Sequence, residues 1–213
     1  ERLGYMNERI IKINSIKDFP IDLDPLHLVI LFKRLEPLTN SKELPLFGIN
    51  DSVFLQYSDY PGLITKKEVR VQLLSELNLP KQGIIWDIGS GVGSIGLEAL
   101  RISPNLKLVS IDKRIGSKNI IEENARRLGV KPSLIIEDDA ISIFKKNQIT
   151  NNLLHPDRVI IGGGGLNSHL IIEEVLKKIN SFCILIIPLI SLKSISRLES
   201  ILKPRVGNLS ISQ

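Results

Sequence analysis

Short runs of branched aliphatic residues alternate with stretches of helical periodicity from about residue 84 onward. The runs predict five strands, at Ile84–Ile88, Lys107–Ile111, Ser133–Ile136, Val159–Ile161 and Cys183–Ile187. Between them, apolar residues recur every three or four positions, for example from Ile120 to Leu128 and from Ile171 to Ile179. Near-continuous apolar strands separated by amphipathic helices are typical of a parallel sheet covered on both faces. The pattern therefore predicts a doubly wound α/β fold.

The residues ahead of this region have a different pattern. Thr65-Lys66-Lys67-Glu68 has the spacing of a capping box and predicts a helix that leads into the first strand. Residues 37–59 mix Pro, Asn, Ser and Gly with scattered apolar residues, which indicates a linker. Leu26–Phe32 predicts one lone strand, which cannot form a core by itself. We therefore expect residues 1–48 to be the tail of another domain or an arm packed on the main one.

Composition narrows the class of protein. Of 213 residues, 43% are hydrophobic and 24% charged, which excludes collagen-like and low-complexity chains. The single cysteine, Cys183, excludes a disulfide framework within this chain and fits a reducing compartment, so we expect a cytoplasmic location. The longest apolar stretch, residues 182–190, is far shorter than the roughly 20 residues of a membrane helix, so no membrane association is expected.

Charge and histidine placement exclude two further kinds of partner. The net charge of +5 is compatible with a polyanionic partner, but an aromatic content of 5% leaves few side chains for stacking on bases, so no nucleic acid is expected. His27, His155 and His169 are scattered without metal-ligand spacing, so no metal is expected.

The most informative motif is Asp87-Ile88-Gly89-Ser90-Gly91-Val92-Gly93-Ser94, where the first predicted strand turns into a helix. Glycines let the backbone turn tightly and approach a ligand, and we expect free N–H groups at the helix start to face that ligand. Asp112 follows about 20 residues later at the end of the second predicted strand, where a carboxylate can accept hydrogen bonds from both ribose hydroxyls. The motif predicts a nucleoside-binding pocket.

The identity of the ligand is less constrained. Gly91 to Gly96 also fits the dinucleotide pattern, which leaves an NAD(P)-dependent oxidoreductase as an alternative. Asp87 suits a positively charged ligand better than a pyrophosphate, and the acidic run Glu137-Asp138-Asp139 before Ala140 offers acceptors for an adenine amine. These features favour S-adenosylmethionine. Asp138 or Asp139 could instead only cap the helix near Ala140, and a non-catalytic adenosyl- or nucleic-acid-binding module is a further alternative.

Several separate stretches agree in order and spacing with one family. They are Pro61–Arg70, Trp86–Ser94, Ile111–Lys113, Asp139–Ala140 and Gly162–Gly165. Together they resemble the decarboxylating precorrin-6B carbon-15 methyltransferases of the cobalamin pathway. The leading residues, including Glu1–Tyr5 and Leu28–Leu31, are similar to the end of the carbon-5 methyltransferase domain in the bifunctional precorrin-6Y carbon-5,15 methyltransferase.

This resemblance implies a Rossmann-like sheet of the class I S-adenosylmethionine-dependent methyltransferase type over residues 49–213, with a truncated C-terminus. Residues 1–48 are then the tail of a preceding tetrapyrrole methyltransferase domain plus a linker. The implied reaction is methylation of a precorrin-6-type macrocycle at carbon 15 with decarboxylation of the carbon-12 acetate. The resemblance also implies a homo-tetramer.

The resemblance carries the family's contacts onto named residues. Expected cofactor contacts are Thr65, Gly89, Ser90, Gly91, Val92, Gly93, Asp112 and Ala140, with Asp139 alongside. The carboxylate-rich substrate is expected to meet counter-charges on Lys66 and Arg70, and a flat glycine wall formed by Gly162, Gly163, Gly164 and Gly165. No catalytic residue is identified, because an electron-rich carbon of the macrocycle can itself be the nucleophile.

Overall fold

The computed structural model describes residues 41–60, 62–162, 168–189 and 198–211, together with residues 6, 8, 9, 11, 20–22, 24 and 25. The chain divides into two compact units, residues 1–36 and 37–213. The strand predicted at Leu26–Phe32 lies outside the described residues.

Five parallel strands form one sheet in the order β3-β2-β1-β4-β5. The strands are β1 (Gln82–Ile88), β2 (Asn105–Asp112), β3 (Leu134–Glu137), β4 (Arg158–Ile161) and β5 (Ile184–Ile186). All five predicted strands are present, and the predicted doubly wound α/β fold is confirmed. The strand order reverses between β1 and β4, and in such sheets ligands bind outside the carboxyl ends of the strands at this point.

Helices cover both faces of the sheet. They are α1 (Lys67–Glu76), α2 (Ser94–Ile102), α3 (Ser117–Leu128), α4 (Ala140–Lys145) and α5 (Ser168–Leu176), with short 3₁₀ turns at Asp51–Val53 and Asn151–Leu153 and further helical residues at 198–202. Side chains alternate along β1, so that Ile85 joins the core under α1–α3 while Trp86 and Ile88 join the core under α4 and α5. None of the helices in the described ranges has the length and apolar character needed to span a bilayer.

Helix α1 begins one residue later than predicted. Lys66 is its N-cap residue, and no side chain caps the helix end, so the predicted capping box at Thr65 is wrong. The Lys66 carbonyl accepts the first intrahelical hydrogen bond from the Arg70 N–H, at 2.8 Å. The Thr65 carbonyl oxygen accepts instead from the Arg70 guanidinium, which leaves Thr65 outside the helix.

Residues 41–59 are packed on the second unit and do not form the predicted linker. Ile49, Val53 and Phe54 are buried in the core shared with α1–α3. The Arg101 guanidinium donates to the carbonyl oxygens of Ser41 and Leu44, at 3.2 and 3.1 Å. The three buried apolar side chains outweigh the loop-like composition of this stretch, because burying apolar surface stabilises the packed state.

A buried ion pair joins this segment to two helices. The side chains of Arg70 on α1 and Glu98 on α2 are both 0% exposed, and Arg70 Nε lies 2.6 Å from Glu98 Oε1. Arg70 also donates to Asp51 at 3.0 Å and to the Ile49 carbonyl, while Glu98 accepts from the Gly48 N–H at 2.7 Å. Arg70 is therefore an internal structural residue, and the prediction that it meets the substrate is wrong.

The backbones of β1 and β4 lie close together where the two strands end. Gly89 has φ +74°, and the Gly162 N–H donates to the Ile88 carbonyl oxygen at 2.8 Å. A Cβ atom at Gly89 would lie 1.6 Å from the Gly162 carbonyl oxygen. Only glycine fits this position, because both the backbone conformation and the neighbouring carbonyl exclude a side chain.

We predict that Arg70→Met destabilises the protein by about 3–5 kcal/mol, because it leaves the Glu98 carboxylate buried without its partner. The control is Arg126→Met, which removes an ion pair between Glu123 and an arginine side chain that is 64% exposed. This change should cost far less stability, because solvent screens an exposed ion pair. Urea unfolding followed by circular dichroism measures both, and equal losses would contradict the role assigned to Arg70.

We predict that Gly89→Ala costs at least about 3 kcal/mol more than Gly116→Ala. Gly116 also has a positive φ, +83°, but a Cβ atom there meets nothing within 4 Å. The Gly116 variant therefore reports the backbone strain alone, roughly 1–2 kcal/mol. Thermal unfolding of the two variants separates strain from the clash with Gly162, and similar melting temperatures would rule that clash out.

Candidate functional site

An open cleft lies at the carboxyl ends of β1, β2 and β4. Its apolar wall is formed by Ile88, Ile111, Ala140, Ile161 and Ile171, and its polar rim by Asp112, Lys113, Arg114, Asp138 and Asp139. Gly89 and Gly162 complete the lining. An apolar slot with polar groups on one side suits a planar ring joined to a sugar.

The loop between β1 and α2 directs its backbone N–H groups inward. Gly89 N and Ser90 N donate to the Ile111 carbonyl at 2.7 and 3.0 Å, Gly91 N to Asp112 Oδ2 at 2.7 Å, and Gly93 N to the Ser90 carbonyl at 2.8 Å. The expectation that free N–H groups of this loop face the ligand is therefore wrong for these four. A pyrophosphate is held by such N–H groups when they are free, so the loop has few donors left for one.

The predicted cofactor residues fall into two groups. Gly89, Asp112, Asp139 and Ala140 line the cleft. The others lie outside its lining: Val92 and Gly93 are buried, and Ser90, Gly91 and Thr65 are half-buried. The Leu63 carbonyl oxygen would lie 4.0 Å from a Cβ atom at Gly91, so the chain that leads to Thr65 passes beside the loop.

The predicted substrate residues are also divided. Gly162 lines the cleft, while Gly163, Gly164 and Gly165 lie outside the described residues. Lys66 is exposed, and its ammonium group lies 3.8 Å from an Asp51 carboxylate oxygen.

The Asp112 carboxylate is held in one orientation at the end of β2. Its side chain is only 1% exposed. Oδ2 accepts from the Gly91 N–H and Oδ1 from the Arg114 N–H, at 2.7 and 2.9 Å. The Arg114 guanidinium, 43% exposed, donates to both oxygens at 3.1 and 3.4 Å. A carboxylate accepts about four hydrogen bonds. The partly exposed Arg114 side chain therefore holds the two acceptor positions that the Gly91 and Arg114 N–H groups leave open, which are those that two ribose hydroxyls would require.

Glu137 caps a neighbouring helix, a role that its place in the acidic run did not reveal. Its Oε2 accepts from the Lys118 N–H at 3.0 Å and from the Ser117 hydroxyl at 3.4 Å, at the start of α3. The Lys118 bond, followed by one from the Gly116 N–H, holds the pKa of Glu137 below its usual value. Glu137 is therefore an ionised helix cap.

Asp139 caps α4, which confirms the capping alternative for this residue. Its Oδ2 accepts from the Ser142 N–H at 3.1 Å. Asp138 accepts from the Asp139 N–H at 2.7 Å, and its carboxylate lies 3.5 Å from the Lys146 ammonium group. The cap fixes the backbone at Ala140, where the cleft wall begins.

Asp87 lies beneath the loop and does not line the cleft. Its carboxyl group is 1% exposed, and Oδ2 accepts from the Gly96 N–H at 3.1 Å. Burial raises the pKa of Asp87 to about 7, with a further rise from the Asp112 charge and an opposing effect of the Gly96 bond. Asp87 is therefore not placed to contact a ligand in the cleft, as was expected, and its carboxyl group instead fixes the first turn of α2 against β1.

Asn124 was not identified from the sequence, although it belongs to the site's framework. Its side chain is fully buried, donates to the carbonyl oxygens of Leu55 and Val92 at 3.0 and 2.9 Å, and accepts from the Leu55 N–H at 2.6 Å. Asn124 thereby joins the 41–59 segment to the glycine loop. A polar residue beside Ile121 and Ala125 on the apolar face of α3 was the available signal.

We predict that Asp87→Asn changes how stability depends on pH. The native pKa of about 7 lies above the value of roughly 3.9 in an unfolded chain, so the native state holds a proton that the unfolded state has lost between these values. The contribution of Asp87 to the free energy of unfolding therefore falls as pH rises from about 4 to 7, by up to about 4 kcal/mol. Urea unfolding at several pH values should show wild type losing stability relative to the Asn variant, and a pH-independent difference would contradict this.

Comparison with known proteins confirms the resemblance found in the sequence. A family model described as a precorrin methyltransferase domain matches residues 57–212. The precorrin-6Y C(5,15)-methyltransferase [decarboxylating] of Sinorhizobium sp is 36% identical over 123 residues, which are 57% of this chain and 27% of that protein. The probable cobalt-precorrin-6B C(15)-methyltransferase (decarboxylating) of Pyrobaculum aerophilum is 32% identical over 150 residues, 70% of this chain and 72% of that protein.

A solved structure agrees with both. The precorrin-6y C5,15-methyltransferase from Geobacter metallireducens GS-15 superposes with a TM-score of 0.66 at 27% identity, covering 76% of this chain and 82% of that chain. The family match spans the glycine loop, Asp112 and the cleft wall, and the sheet order is that of the doubly wound fold. The chain therefore belongs to the precorrin methyltransferase domain family.

Proposed function

We propose that this chain binds S-adenosylmethionine and methylates carbon 15 of a precorrin-6-type macrocycle, with loss of the carbon-12 acetate carboxyl group as carbon dioxide. The observation that carries the choice of cofactor is the inward direction of the loop N–H groups beside the Asp112 carboxylate. A loop with four of its N–H groups already bonded suits a ligand that has a ribose but no phosphate. The names of the Pyrobaculum and Sinorhizobium relatives support the reaction.

The cleft residues suit the parts of this cofactor. Asp112 would accept from the ribose hydroxyls once the exposed Arg114 side chain turns away. Ile88, Ile111 and Ala140 provide an apolar wall for the adenine ring. The bound cofactor supplies a methyl group on a sulfonium, which an electron-rich carbon can attack directly.

The chain's own contribution is binding, alignment and exclusion of water. Each described carboxyl group near the loop already has a partner: Asp87 bonds Gly96, Asp112 bonds Gly91 and Arg114, and Glu137 and Asp139 cap helices. None of these four is placed as a strong base. Transfer to a nucleophilic carbon does not need one, because orientation in a dry site supplies much of the acceleration.

The substrate contacts are part of the proposal. Lys66 lies on the segment beside the loop and keeps an exposed ammonium group for a macrocycle carboxylate. Gly162 extends the cleft wall past β4, and Gly163, Gly164 and Gly165 are included as substrate contacts on the resemblance alone. The proposal also assigns residues 1–48 to the tail of a carbon-5 methyltransferase domain and the chain to a homo-tetramer, both on the resemblance. The proposed cytoplasmic location rests on the single cysteine.

Two measurements test the proposal. Calorimetric titration of the chain with S-adenosylhomocysteine and with NAD should show binding of the first alone, and binding of NAD alone would overturn it. Incubation with precorrin-6B and a methyl-labelled donor should then give a product that has gained one methyl group and lost carbon dioxide. Methylation without that loss of mass would remove decarboxylation from the proposal.

We predict that Asp112→Asn weakens S-adenosylhomocysteine binding by roughly 10- to 100-fold, because one acceptor for the ribose is lost. The matched control is Asp138→Asn on the same cleft rim, where the carboxylate pairs with Lys146. The control should change the affinity less than about threefold. Calorimetry measures both variants, and equal effects would show that Asp112 has no special part in ribose recognition.

A further inference from the structure

Tyr57 lies on the segment that precedes α1, outside the lining of the cleft but packed against the core next to the glycine loop. Two residues earlier, the N–H and the carbonyl oxygen of Leu55 both bond to the Asn124 side chain. The same side chain also donates to the carbonyl oxygen of Val92 in the glycine loop. The half-buried Tyr57 side chain packs against the core cluster that contains Val92 and Ile121. The ring therefore has a fixed place between the loop and α3.

The hydroxyl group of Tyr57 is buried and has no hydrogen-bond partner among the described residues. The polar groups near this hydroxyl bond to other partners. The Ser117 hydroxyl contacts the Asp112 carbonyl oxygen at 3.3 Å and Glu137 Oε2 at 3.4 Å, and the Asp112 carboxylate is held by Gly91 and Arg114. A buried hydroxyl without a partner lowers stability, and phenylalanine would pack without that cost.

The charges around this hydroxyl are those of the ribose site. Burial, and next the negative charge of Asp112, raise the pKa of Tyr57, while Arg114 and the nearby Ser117 hydroxyl lower it and Glu137 raises it. The phenol is therefore protonated at neutral pH and available as a donor. It lies close to the carboxylate whose outward acceptor positions Arg114 holds with an exposed side chain.

We propose that Tyr57 is a cofactor-binding residue whose hydroxyl hydrogen-bonds to the ribose that Asp112 holds. The inference rests on the proposed cofactor site and adds a residue to it. When the ribose takes the outward positions of Asp112, the Arg114 side chain turns toward solvent. The space it leaves brings a sugar oxygen within reach of the phenol, which then gains the partner it lacks.

The test compares Tyr57→Phe with Tyr60→Phe, the same chemical change on a tyrosine of the same segment that is 66% exposed. Tyr57→Phe should leave the melting temperature unchanged or higher, yet weaken S-adenosylhomocysteine binding roughly three- to tenfold in calorimetry. Tyr60→Phe should change neither. A structural role alone would lower the melting temperature without this loss of affinity.

A second ligand shows which part of the cofactor Tyr57 contacts. Methylthioadenosine keeps the ribose and adenine without the amino-acid part, so Tyr57→Phe should weaken it by the same factor as S-adenosylhomocysteine. If the Tyr57→Phe variant binds both ligands as tightly as the wild type, the role of Tyr57 is overturned and the proposed function stands. Failure of the wild-type chain to bind either ligand would overturn the proposed function and this inference together.

Discussion

The hydrogen bond from the Gly91 N–H to the Asp112 carboxylate, 2.7 Å long, is the interaction on which the site depends. It draws the tip of the glycine loop toward the end of β2, and the Ile111 carbonyl takes the N–H groups of Gly89 and Ser90. These N–H groups of the loop thus bond to the protein itself. The same glycine spacing that elsewhere surrounds a pyrophosphate here presents a carboxylate, and four of the loop N–H groups are bonded within the protein, which favours a ligand with a ribose over one with a pyrophosphate.

A second layer of buried polar groups keeps that loop in place. Glu98 on α2 and Asn124 on α3 each bond backbone groups of the 41–59 segment, and Arg70 extends the network to Thr65. These groups are costly to bury, and their hydrogen bonds offset that cost only when all are formed. The segment, the loop and the start of α1 are consequently one cooperative unit, although they are distant in sequence. These hydrogen bonds therefore also fix the position of other side chains on the segment.

The sequence pattern was sufficient for the sheet and for the location of the site, and insufficient for the direction of individual side chains. Strands such as Ile84–Ile88 are apolar enough to be found from periodicity, and Asp112 follows its strand at the spacing that ribose recognition requires. Arg70 and Asp87 were misplaced because a charged residue is usually exposed, and only tertiary partners reveal that these two are buried. The Thr65 cap failed as well: the helix begins at Lys67 after Lys66 as its N-cap residue, and the spacing of residues 65–68 did not reveal this one-residue shift.

The neutralisation of the acidic residues explains how a chain with four carboxyl groups near one loop can fold at all. Burial raises the pKa of Asp87 toward neutrality, Arg114 compensates Asp112, and the N-terminal ends of α3 and α4 compensate Glu137 and Asp139. Three of these compensations are built into the fold, whereas the Arg114 guanidinium is exposed and can leave. The ribose hydroxyls that would displace it are neutral, so the Asp112 charge would then rest on the backbone N–H groups of Gly91 and Arg114, which bond its two carboxylate oxygens at 2.7 and 2.9 Å.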